Sequence, residues 1–186
     1  MMVVSSALAI GLLLGLVCGG SVRNLGGVRL RFEWVVIPLF VVQALARGRL
    51  AGASASSLGV SIWLVGTLVL LAFLAPDWRQ PGVWVSGVGM ALNMLVVLAN
   101  GGMPVVPPGQ VPASQAAASL AQSAGFYHLA GPGTILVTLG DVLPLGMGAT
   151  TTLLSAGDVL LTLGVAIYIL RSMTGSSREA IQPATL

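Results

Sequence analysis

Four stretches of this chain, residues 3–20, 58–75, 82–99 and 153–170, are each 18 residues long and together hold one charged side chain, Asp158. At 1.5 Å per residue such a helix reaches about 27 Å, close to the ~30 Å hydrocarbon thickness of a bilayer. Water offers no good solution for a chain with four such segments. Only 7% of its 186 residues are charged, against about 25% in an ordinary soluble domain. Too few charges are available to give a core of this size a wetted surface, and lipid as solvent removes that need.

The pattern predicts an all-α fold: a polytopic transmembrane helical bundle of about five spans plus a re-entrant or membrane-capping segment. Residues 1–171 form a single transmembrane domain, and residues 172–186 form a polar tail expected to be disordered. Residues 3–20 have no Lys or Arg before them, so they lack the basic start of a signal peptide and read as a retained first helix. Gly15-Leu16-Val17-Cys18 is a poor match to a lipoprotein cleavage site. Gly11, Gly15 and Gly19 make a small-residue ridge on which another helix can pack closely. The fifth span is residues 34–46, bracketed by Arg31 and Glu33 before and Arg47 and Arg49 after. It is short, and Pro38 is placed to kink it.

All the basic residues are arginines, scattered singly between apolar segments, with a net charge of +3. Such scatter marks topology rather than a nucleic-acid surface. With five spans and the N-terminus outside, Arg23, Arg29, Arg31, Arg79, Arg171 and Arg178 face the cytoplasm, and Arg47 and Arg49 lie outside. The C-terminus is then cytoplasmic. Residues 100–153, which contain no Lys or Arg, fall on the outer side of the plasma (inner) membrane. Within them, residues 114–124 read as a short helix, with Pro112 before it and Gly125 after it. Cys18 is the only cysteine, which excludes an intrachain disulfide and a thiolate zinc site.

The chemistry concentrates in a repeated tetrapeptide. Gly140-Asp141-Val142-Leu143 recurs as Gly157-Asp158-Val159-Leu160. Asp158 lies five residues inside the last apolar stretch, about 8 Å along a helix. A carboxylate at the centre of a membrane helix costs about 2.5–3.5 kcal/mol on insertion scales, so it should face protein, water or a partner. Asp141 fits either that role or a cap at the interface. Asn93, inside the fourth stretch, can bond across helices as structural glue. Asn100 can cap backbone at the exit of that stretch. His128, the lone histidine, sits beside Tyr127 at the outer boundary.

The order Asn100-Gly101-Gly102-Met103-Pro104, His128, Leu139-Gly140-Asp141-Val142-Leu143-Pro144 and Ser155-Ala156-Gly157-Asp158-Val159-Leu160-Leu161 resembles a family of small bacterial integral-membrane proteins known as a domain of unknown function. The resemblance covers residues 93–170 most strongly. It gives no reaction, but it implies a site built from Asn100, His128, Asp141, Ser155 and Asp158.

Three functions follow as expectations. In one, Asn93, Asn100, His128, Asp141, Ser155 and Asp158 line a polar pocket for a proton, a cation or a small solute. In another, the chain is a scaffold or accessory subunit whose polar residues only pack helices. In the third, Asp141 and Asp158 are the catalytic pair of an intramembrane aspartyl-type hydrolase, two carboxylates sharing a proton to activate water. The expected partners are the lipid bilayer and a second copy or partner membrane subunit, with no nucleic acid, no cofactor and no metal. No phosphate loop, dinucleotide fingerprint, zincin or haem motif occurs in the sequence.

Overall fold

A computed structural model of the chain describes residues 2–26, 30–31, 34–35, 38–39, 41–43, 56–107, 109, 126–145 and 152–179. Four helices dominate: α1 (Met2–Val17), α2 (Ser56–Leu74), α3 (Val83–Asn100) and α4 (Ala156–Glu179). The fold is mostly helical but not all-α. Four three-residue strands, β1 (Met103–Val105), β2 (Tyr127–Leu129), β3 (Leu143–Leu145) and β4 (Thr152–Leu154), lie between α3 and α4. Among the described residues three stretches are long and apolar enough to cross a membrane: Leu58–Asp77, Val83–Asn100 and Ala156–Gly175. The apolar part of α1, Ser6–Val17, is shorter. Residues 36, 37, 40 and 44–46 of the expected 34–46 span, and all of the short helix expected at 114–124, lie outside the described residues.

Small residues decide how the helices meet. A Cβ at Gly11 would touch Ile169 and Ala166 of α4, and one at Gly15 would strike Met173. Both numbers climb together, so α1 and α4 run parallel. Gly19 does not extend this ridge. Its φ of 76° makes it the left-handed cap of α1, with Gly20 N–H donating to Gly15 O at 2.8 Å and Gly19 N–H to Leu16 O at 3.0 Å. The α3–α4 contact is tighter. Gly82 lies against Gly164, and Gly89 against Gly157 and Leu161. Here one number rises as the other falls, so the pair is antiparallel. α2 and α3 are antiparallel too: Val60 and Trp63 pack with Val96 and Val97, while Leu70 and Leu74 pack with Val83 and Met90.

α1, α2 and α4 therefore point the same way, and the chain must return between α1 and α2. The described parts of that connection do so. Arg31 N–H donates to Asp77 Oδ2 at 2.8 Å, at the end of α2. Gln43 Nε2 donates to Trp63 O at 3.1 Å and to Thr67 Oγ1 at 3.0 Å, near the middle of α2. The described residues from Arg31 to Gln43 thus run against the direction of α2, with Arg31 in a turn and residues 34–35, 38–39 and 41–43 helical.

The polar tail expected from Ser172 instead begins as helix, because α4 runs to Glu179. Tertiary contact holds this turn. Met173 is fully buried between Gly15 and Gly20, and its carbonyl accepts from Ser21 N–H at 3.1 Å and Asn24 Nδ2 at 2.7 Å. Ser172 and Thr174 turn their hydroxyls onto Tyr168 O and Leu170 O at 2.7 and 2.9 Å, which lets polar residues sit on a buried helix.

Above the helices sits the strand cap. β1 pairs in parallel with β2, Pro104 opposite His128. On its other edge β1 meets Asp141, with Asp141 N–H donating to Pro104 O at 2.9 Å and Val106 N–H to Asp141 O at 3.1 Å. β3 pairs antiparallel with β4, Leu143 opposite Leu154. That hairpin register brings Asp141 back beside Ser155 and the start of α4.

Candidate polar cavity between the helices and the strand cap

Asp158 is not deep in a span. Leu153 and Leu154, which read as helix by apolarity, belong to β4, and α4 starts only at Ala156. Asp158 therefore stands in the first helical turn. Ser155 precedes the helix as its N-cap: Asp158 N–H donates to Ser155 Oγ at 2.9 Å, and Ser155 N–H reaches Asp158 Oδ2 at 3.5 Å. This is a capping box, made with the shorter acid and so with one long arm. An acid in the first turn also meets the positive end of the helix dipole.

The cap closes into a ring through α3. Ser155 Oγ–H donates to Asn93 Oδ1 at 2.8 Å, and Asn93 Nδ2 donates to Asp158 Oδ1 at 2.9 Å. Asn93 and Ser155 are buried. The ring needs Gly157, since any side chain there would collide with the Asn93 carboxamide and the Gly89 carbonyl. The second copy of the tetrapeptide thus uses its glycine to let two helices meet at their backbones. The first copy uses Gly140 to pass under the Pro104 carbonyl. The tetrapeptides match in sequence but not in structure: one follows a strand edge, the other a helix start.

Both aspartates nonetheless converge. Asp141 is buried, and a small cavity is lined by Asp141, Asp158, Asn93, Val97, Met103, Trp63, Phe126 and Tyr127. Its space for water-sized occupants is about 10 Å³, roughly room for one water. Phe126 joins the aromatic wall, stacking edge-on to Trp63 at 5.3 Å and to Tyr127 at 5.0 Å between ring centres. Of the residues expected at the site, Asn93, Asp141 and Asp158 line the cavity, and Ser155 stands one bond behind it. His128 and Asn100 do not line it. His128 is half-buried in β2. Asn100 instead clamps a loop, donating from Nδ2 to Ile135 O at 2.8 Å and accepting from Ile135 N–H at 2.8 Å.

A family model described as a family of unknown function, DUF5317, matches residues 27–170. The chain belongs to this family. The DUF5317 match takes in every residue named at the cavity and leaves out α1 and the end of α4. No curated protein and no solved structure matches the chain.

Sequence reasoning missed the aromatic wall, since Trp63 is far in sequence from the adjacent Phe126 and Tyr127. It also missed two signals that were present. Ser155-x-x-Asp158 before an apolar run is the sequence mark of a capping box. Gly82, Ser86, Gly89 and Asn93 form one stripe of a helix, facing Gly157 and Gly164. Among the described residues no cluster of three or more His, Cys, Asp or Glu could hold a metal ion.

Proposed function

We propose that this chain is a multi-pass protein of the plasma membrane that holds a proton or small cation at the Asp141–Asp158 cavity. The observation that carries the reading is the convergence of two carboxylates and a buried carboxamide on a space of one-water size. Acidic groups in apolar surroundings near interrupted backbone are the arrangement that membrane proteins use for proton and ion sites. The size of the space favours a proton, a water or a bare cation over a larger solute. It also disfavours the hydrolase reading: water would fit between the carboxylates, but a peptide bond would not.

Five passes are the best account of the topology. α1, α2 and α4 run one way, α3 runs the other, and the described residues from Arg31 to Gln43 return along α2. With the N-terminus outside, the cavity and strand cap lie in the outer half, and the arginine excess lies inside. A second copy or a partner subunit would complete a pathway that one short chain is too small to enclose.

A scaffold reading has its own support, because the Ser155–Asn93–Asp158 ring also locks α3 onto α4. The two readings part at Asp141, which lies outside that ring. Proton and monovalent-cation fluxes in proteoliposomes should fall strongly in Asp141→Asn and Asp158→Asn while folding is retained. Equal fluxes from wild type and both variants would leave the scaffold reading standing.

A further inference from the structure

Asn100 does no work at the cavity, and the loop it holds has an unusual conformation. Leu136 has φ 56° and ψ 36°, and it is the one non-glycine residue with positive φ among the described residues. Left-handed backbone costs a leucine roughly 1–2 kcal/mol, so the surroundings must hold it there. Asn100 supplies that hold. Its carboxamide brackets Ile135 on both backbone groups, at 2.8 Å each, and ties the same nitrogen to Val96 O at 2.9 Å. A turn at Gly131–Thr134, closed by Thr134 N–H to Gly131 O at 3.0 Å and Gly131 N–H to Thr134 Oγ1 at 2.8 Å, fixes the other side.

The clamp presents apolar side chains outward. Ile135 is 56% exposed, and Leu136, Val106, Leu143 and Leu145 of the same cap are exposed too. No Lys, Arg, Asp or Glu occurs between Arg79 and Asp141. A cap facing open water would scatter charges among such residues; an apolar cluster of this kind marks an interaction surface. The loop lies level with the end of a membrane-length stretch, since Ile135 is bonded to Asn100, the last residue of Val83–Asn100. Resting on the membrane-spanning reading above, we propose that Ile135 and Leu136 form an interfacial anchor. The Asn100 clamp holds the 131–139 loop so that both side chains enter the acyl region of the outer leaflet. The strand cap would then lie against the bilayer instead of standing clear of it.

The test is nitroxide depth measurement on the full chain in vesicles of phosphatidylcholine and phosphatidylglycerol. The background is Cys18→Ser, and single labels are placed through Ile135→Cys and, on the exposed flank of α4, Leu163→Cys. Collision with oxygen reports lipid; collision with a water-soluble nickel chelate reports solvent. The expected result is an oxygen-to-chelate ratio at 135 several-fold above that of a label at Gly131→Cys, with oxygen dominant at 135 as at 163. Adding Asn100→Ala should narrow the spectrum at 135 and lower that ratio several-fold. A label at 135 dominated by the chelate while that at 163 is dominated by oxygen would overturn the anchor and leave the spanning reading intact. Chelate dominance at both would overturn both. Spin–spin broadening at 135 that disappears on dilution with unlabelled protein would assign the face to a second copy and also refute the anchor. A label at 135 indifferent to Asn100→Ala would refute the clamp.

Discussion

Replacing Asn93 with leucine removes the only side chain that joins α3 to both Ser155 and Asp158, with little change in volume. Two bonds are lost, one from the Ser155 hydroxyl at 2.8 Å and one to the Asp158 carboxyl at 2.9 Å. Interhelical side-chain bonds in membranes average ~0.6 and reach ~1.7 kcal/mol. A bond to a charged group is worth about 1.5–3 kcal/mol, and stranding its buried partner adds to the cost. Asn93→Leu should therefore destabilise the bundle by about 2–5 kcal/mol. Unfolding in mixed micelles by SDS titration, followed by circular dichroism, measures the loss directly. A double-mutant cycle then isolates the shared bond. Ser155→Ala alone should cost ~1 kcal/mol as a lost helix cap. The pair should cost less than the sum of the singles by more than the ~0.5 kcal/mol scatter of independent sites. An Asn93→Leu protein as stable as wild type, or strict additivity with Ser155→Ala, would refute the ring.

The glycines make two further predictions. Gly157→Ala pushes a methyl into the Asn93 carboxamide and the Gly89 carbonyl, so it should cost at least the ~1–3 kcal/mol of an overpacked core, read by the same titration. Gly15→Ala and Gly19→Ala should separate sterics from backbone conformation. The first drives Cβ into Met173, whereas the second has open space but a φ of 76°. Gly19→Ala should cost about 1–2 kcal/mol in any lipid, and Gly15→Ala should cost less in a Met173→Ala background than in the wild-type chain.

The long helices were legible because an 18-residue run of apolar side chains has few other uses. The Gly11–Gly15 ridge was legible for the same reason, since small residues four apart have a direct packing meaning. The strands were not. Met103-Pro104-Val105 and Leu143-Pro144-Leu145 are too short for alternation to show, and each carries a proline that argues against a strand. They form because tertiary contact lines them up, β1 between β2 and Asp141 and β3 against β4. The start of α4 was misplaced because hydropathy cannot separate Leu153-Leu154 in a strand from the first turn of a helix. The capping pattern at Ser155 marks the boundary that hydropathy missed. At the site, the two aspartates stood out through their repeated context. Asn100 stood out as well, but its carboxamide serves the loop at Ile135, a partnership across 35 residues that no local pattern encodes.

The convergence of Asp141 and Asp158 on one small cavity can be tested most directly by metal bridging. In a Cys18→Ser background, Asp141→Cys and Asp158→Cys would be introduced together, and maleimide labelling followed in native membranes with and without cadmium. Cadmium should protect both thiols in the double variant and neither in the singles, because a cation of that size fits between two side chains facing a water-sized cavity. Labelling of the double variant at the rate of the singles, unaffected by cadmium, would contradict the shared cavity.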